Sequence, residues 1–145
     1  MIHAYISDIA VYLPDRLVTN LEVEQKIRVS GEAVRTGVLQ KIYGAKHRYF
    51  ADEGTQVSDL AARAGKIIID RTKEKIDLLI FAAASSDLIE PATSNIVQTK
   101  LGLHCPVMDI KNACNSVTTA IETASAFVAC GMYKNVLIVN GEKLS

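Results

Sequence analysis

The stretch Asp109–Gly131, DIKNACNSVTTAIETASAFVACG, decides how this chain reads. It opens inside VMDI (Val107–Ile110), a short run of the kind expected from a strand covered on both faces. KNACNS then turns the chain. Val117, Ile121, Ala124 and Val128 follow at three-to-four spacing, which predicts a helix closed by Gly131. Cys114 stands where turn and helix meet. If Asn112 caps the helix, Cys114 takes its second position. Backbone N–H groups there lack intrahelical partners, and the macrodipole presents partial positive charge. Such a setting favours a thiolate, the form that attacks thioesters and other acyl groups. The competing reading is a small buried residue, since free cysteine is among the most buried residue types. Cys105, at the start of a strand, and Cys130, in the last turn of the helix, are assigned that buried fate. Position alone leaves both readings of Cys114 open. A nucleophilic cysteine also needs a base, and none of His3, His47 and His104 has an obvious reason to meet it.

Working outward, DLLIFAAA and NVLIVNG are near-continuous apolar runs and read as buried strands. AYISDIAVYL (Ala4–Leu13) alternates in part and reads as a further strand. Helical patterns lie between. Thr19 and Glu22 have the spacing of a capping box ahead of NLEVEQKI. SDLAARAGKIIIDRT carries one apolar stripe, and ATSNIVQTKLG is a short helix stopped by Gly102. Alternating strands and helices predict an α/β layered domain with a largely parallel sheet. The main loop, SSDLIEPATSN (residues 85–95), follows a strand's C-terminal end, the side where open α/β sheets gather ligands.

The 145 residues suit one domain with a real core, and no linker, repeat or low-complexity segment divides them. Lys plus Arg and Asp plus Glu each number 16, so no basic surplus points to nucleic acid. Lys46 and Arg48, in AKHRYF, are candidate phosphate contacts, against the plainer reading of a solvated loop end. The longest apolar run, LLIFAAA, is too short to cross a bilayer, and the N-terminus lacks a cationic head, so neither a membrane span nor a secretory signal is expected. Three cysteines without a CxxC pair argue against a disulfide framework and a metal site, and a reducing, cytoplasmic setting is the simplest expectation.

DIKNACNSVTTAIETASAFVACG resembles the nucleophile strand, elbow and helix of β-ketoacyl-acyl carrier protein synthase III, a family of the thiolase superfamily. Other stretches resemble the family in the same order: ISDIAVYLPDRLVTN its opening strand, KIYGAKHRYF its TG-x-x-x-R segment, FAAASSDLIEPATSNIVQTKLGL its second strand, proline loop and next helix, and KNVLIVNGEKLS the strand after the nucleophile helix. The resemblance spans essentially the whole chain. It implies the first half of a thiolase-like α/β/α fold, with a mixed, mostly parallel and incomplete sheet. It also implies an acyltransferase without a cofactor. Cys114 accepts an acyl group from acyl-CoA, a malonyl thioester on acyl carrier protein decarboxylates, and its carbanion attacks the acyl-cysteine. The Cys114 N–H would help form the oxyanion hole, and such donors are worth about 2–4 kcal/mol.

The departures from the family are informative. Its catalytic His and Asn lie in the second half of a chain about twice as long, and this sequence ends before them and before the strand that completes the half-sheet. The preferred expectation is the N-terminal part of a longer, homodimeric enzyme. The alternatives are a split enzyme whose partner chain supplies the rest, and a non-catalytic remnant or subunit that provides a dimer surface. Ile42 and Tyr43 stand where the family has Arg and Thr, and there is no Trp, so Tyr43 is left as the residue able to stack on a base. Glu90 precedes Pro91 where the family often has an aromatic residue, in a loop that usually crosses the dimer interface. It is expected to adjust substrate choice, against the plainer reading of an exposed loop carboxylate. These departures favour a specialised condensation over fatty-acid initiation.

Overall fold

A computed structural model describes residues 3–144. They form two compact units, one of residues 3–12 and 55–144 and one of residues 13–54.

The larger unit is built on a three-stranded parallel sheet. Its strands are β3 (Leu78–Ala82), β4 (Val107–Ile110) and β5 (Val136–Val139), in the order β4-β3-β5. Central β3 is buried at all five positions, which is why its sequence is apolar without alternation. Its register sets Leu79 against Val107 and Leu137, and Phe81 against Asp109 and Val139. Leu79, Phe81, Leu137 and Val139 pack with Val57, Ala61 and Ala62 of α3 (Val57–Thr72) and Val97 of α4 (Thr93–Leu101). Leu78, Ile80 and Ala82 pack on the opposite side with Ala120 and Ala124 of α5 (Ser116–Ala129). The result is the expected helix–sheet–helix layering, with period-two alternation sorting one strand's residues between two cores.

Polar ties close the layers. Lys100 Nζ on α4 donates to Ser58 Oγ and Asp59 Oδ1 on α3, each at 2.6 Å, and with the Gln56 N–H it holds the Asp59 carboxyl below its ordinary range. A Cβ built on Gly65 of α3 would lie 3.0 Å from Val139 Cγ1, so this helix sits close on the sheet. At Gly141 a Cβ would meet the Val57 carbonyl oxygen at 2.1 Å, so only glycine lets the chain leave β5 past the start of α3. Beyond the strands' C-terminal ends, Glu142 accepts hydrogen bonds from the Ala84 N–H and the Ser85 hydroxyl.

One expectation fails here. Residues 4–13 do not form a strand: Tyr5, Ile6, Ile9 and Val11 are exposed and the backbone joins neither sheet. The segment is held instead by Asp8 on Arg71 at 3.6 Å and by Tyr12, whose hydroxyl bonds Arg63 and whose ring lies 5.0 Å beneath that guanidinium. Alternation makes a strand only where a neighbouring backbone completes the ladder. Among the described residues β5 pairs with β3 alone, and nothing extends the sheet beyond it.

The smaller unit holds β1 (Arg16–Thr19), α1 (Asn20–Val29), α2 (Val38–Tyr43) and β2 (His47–Phe50). The antiparallel β1–β2 pair and α2 were not anticipated, because four residues and six give too little periodicity to read. The capping box was. Glu22 N–H donates to Thr19 Oγ1, and Thr19 N–H donates back to the Glu22 carboxylate at 2.7 Å. The buried Glu24 carboxylate receives the N–H groups of Gly37 and Leu39 at 2.7 and 3.0 Å, tying α1 to the start of α2.

Candidate active site

Parallel β4 ends at Ile110 and α5 begins at Ser116, so residues 111–115 make the elbow that carries Cys114. The turn is tight. Asn115 N–H donates to the Asn112 carbonyl at 2.9 Å and Ser116 N–H to the Ala113 carbonyl at 3.2 Å. Ala113 adopts a left-handed φ of 47°, a conformation that penalises a residue with a Cβ and persists only where its surroundings hold it. The holding group is the Ser116 hydroxyl, only 2% of the residue being exposed. Its oxygen accepts the Asn112 N–H and donates to the Ala113 carbonyl, both at 2.8 Å. Asn112 Nδ2 bonds Thr119 Oγ1 at 2.9 Å.

This geometry corrects the expected cap. Asn112 does not cap α5, since its amide is turned to Thr119; Asn115 occupies the N-cap position. The left-handed Ala113 interrupts helical continuity, so Cys114 stands in the turn before the cap rather than in the first helical turn. Cys114 is exposed, against the buried alternative. Cys105 is buried as expected, and burial raises its thiol above the ordinary range. Cys130 is not buried: it sits at the exposed end of α5, its thiol on the Phe127 carbonyl. Cys130 lies six residues past buried Ala124, off the face that the three-to-four spacing keeps on the sheet, which turns it outward.

Next to the elbow, a cavity of about 250 Å³ opens between the ends of β3 and β4 and the loop of residues 83–92. Phe81, Ala83, Leu88, Ile89 and Ile110 supply its apolar lining. Asp109 lines it too, and its carboxylate accepts the Thr93 and Ser94 N–H groups at 3.0 and 2.8 Å. Sequence reasoning missed Asp109 and Ser116. The available signal was an acid ending a strand opposite a helix start, and a serine at the first residue after the turn.

The remaining candidates fall as follows. Glu90 is exposed in the same loop, between cavity-lining Ile89 and Ala92, and its bond to Pro91 is cis. Tyr43, 71% exposed, ends α2, and Arg48 lies on β2, both in the smaller unit. Arg48 Nη1 donates to Asn20 Oδ1 at 3.1 Å, so part of its guanidinium serves the β2–α1 junction. His104 precedes β4 while Cys114 follows it, so the two occupy opposite ends of one strand. Among the described residues no three His, Cys, Asp or Glu side chains converge as metal ligands do, and no helix is long and apolar enough to cross a membrane.

Comparison with known proteins agrees with this arrangement. Residues 108–145 match the family model described as 3-oxoacyl-[acyl-carrier-protein (ACP)] synthase III. The β-ketoacyl-[acyl-carrier-protein] synthase III of Aliarcobacter butzleri is 40% identical over all of this chain, which covers 44% of that relative. The crystal structure of the 3-oxoacyl-(acyl carrier protein) synthase III of Xanthomonas oryzae superposes with a TM-score of 0.86 at 28% identity, over 99% of this chain and 45% of that one. A cysteine-to-serine variant of OleA from Xanthomonas campestris, crystallised with lauric acid and lauroyl-CoA, superposes with a TM-score of 0.84 at 28% identity, over 95% of this chain and 43% of that one. The chain therefore spans less than half the length of the relatives it matches.

Proposed function

We propose, from the premise that this chain is a homologue of the synthase III enzymes over about 45% of their length, that it carries the nucleophile half of a thioester-condensing acyltransferase. The carrying observation is the elbow: an exposed cysteine after a half-buried parallel strand, on a turn held by a buried hydroxyl, whose first residue, Lys111, lines a largely apolar cavity. The Cys114 thiolate adds to the carbonyl carbon of an acyl-CoA. The tetrahedral oxyanion collapses and CoA leaves as a thiolate, which takes a proton. A malonyl group on acyl carrier protein then loses CO2. The electron pair of the broken bond attacks the acyl-cysteine carbonyl and Cys114 departs, leaving a 3-oxoacyl thioester. In this reading Tyr43 stacks on the base of CoA, the unengaged part of Arg48 meets its phosphates, and Glu90 adjusts which acyl chain is accepted. The His and Asn that serve decarboxylation come from the remainder of a longer protein or from a partner chain, and the working species is a cytoplasmic homodimer.

A second reading is a non-catalytic subunit that supplies a dimer surface. The exposed apolar side chains of Ile6, Ile9 and Val11 favour it. Intact mass before and after incubation with short acyl-CoA separates the two. The enzyme reading expects an acyl increment that is lost in Cys114→Ala. Unchanged mass in the native protein, full-length and with its partner chains, would sink it.

A further inference from the structure

The Ser116 hydroxyl does more than close a turn. The Ala113 carbonyl and the Cys114 N–H belong to one peptide unit, which is trans and planar, so the two groups point in opposite directions. The Ala113 carbonyl is fixed toward Ser116 by two donors, the hydroxyl at 2.8 Å and the Ser116 N–H at 3.2 Å. The Cys114 N–H is thereby turned away from the start of α5. The same hydroxyl accepts the Asn112 N–H at 2.8 Å, so the Lys111–Asn112 and Ala113–Cys114 peptide units, at the two ends of the turn through the left-handed Ala113, are tied to one buried atom.

We propose that Ser116 is a positioning residue that aims the Cys114 N–H at the carbonyl oxygen of the acyl group. This rests on the acyltransferase reading of Cys114. Preorganised N–H donors act where charge develops, and their direction is worth as much as their presence. In Ser116→Ala the Asn112 N–H loses its partner and the Ala113 carbonyl keeps only the longer bond. The thiol remains, but the donor is no longer aimed.

The test compares two reactions at Cys114 in the native protein, resolved by peptide mapping. One is acyl transfer from a short acyl-CoA, which develops an oxyanion. The other is alkylation by iodoacetamide, which does not. Ser116→Ala is expected to slow acyl transfer roughly tenfold or more while alkylation stays within about threefold. Ser116→Thr, which keeps the hydroxyl, is expected to restore transfer. Buried Cys105 reports folding in each variant, because it reacts only when the core opens. Should Ser116→Ala expose Cys105, the comparison is repeated in an Ala113→Gly background, where the left-handed turn carries no Cβ penalty. Equal losses in both reactions, or unchanged transfer in folded Ser116→Ala, overturn the positioning role alone. Alkylation of the wild type without acyl transfer overturns the acyltransferase reading, and the positioning role with it.

Discussion

At the residue scale the carboxylates divide by what satisfies them. Glu24 is buried, yet the Leu39 and Gly37 N–H groups and the nearby Arg28 hold its carboxyl below the ordinary value of 4.5. A lowered folded value means that the ionised form stabilises the unit above about pH 4.5, and that this contribution is lost as pH falls through the folded value. Glu24→Gln should therefore melt earlier than wild type at pH 7, and the gap should narrow on acidification below pH 4.5. Thermal melts across that range check it; a gap independent of pH would refute the ionic role. None of this was legible beforehand, because a glutamate on a helix reads as solvated until tertiary contacts name its partners. Cys114 was legible as a candidate because a residue between a strand pattern and a helix pattern must sit at an elbow. Its place outside the helix was not, since nothing in NACNS announces a left-handed alanine.

At the element scale, the parallel strands and the three helices packed on them were read correctly, and the short β1, α2 and β2 of the smaller unit were not. α3, α4, α5 and the three parallel strands follow from stripes and runs of apolar residues. The first helix follows from its cap. Thr19→Ala removes the side-chain acceptor for the Glu22 N–H and should destabilise the smaller unit by about 1 kcal/mol, read from denaturant midpoints. Retention of wild-type stability would mean that the Glu22 carboxylate alone, bonded to the Thr19 N–H, sets the helix start. The alternating residues 4–13 mark the limit of pattern reading: periodicity says which side chains share a face, and only a pairing partner makes that face part of a sheet.

At the scale of the whole molecule, the charge balance and the exposed apolar row act together. The chain carries no net formal charge, and Ile9 and Val11 are each 71% exposed on a segment that joins no sheet. Low net charge and contiguous exposed apolar side chains both favour association. Replacing Ile9 and Val11 with lysine should lower the sedimentation-average mass near neutral pH without moving the melting temperature. A fall in melting temperature instead would place these side chains in the folded core. The layered architecture was legible from strand–helix alternation, and the division into two compact units was not, because no change in composition marks Leu13 or Gly54.

The order β4-β3-β5 also sets a timetable for synthesis. β3 needs both neighbours to bury its five residues, yet β5 is encoded more than fifty residues later. At roughly 5–20 residues per second on the ribosome, LLIFA emerges several seconds before its second flank exists. During that interval the most fully buried strand among the described residues is a client for whatever holds nascent chains, and slowing translation between Ala82 and Val136 lengthens its stay there.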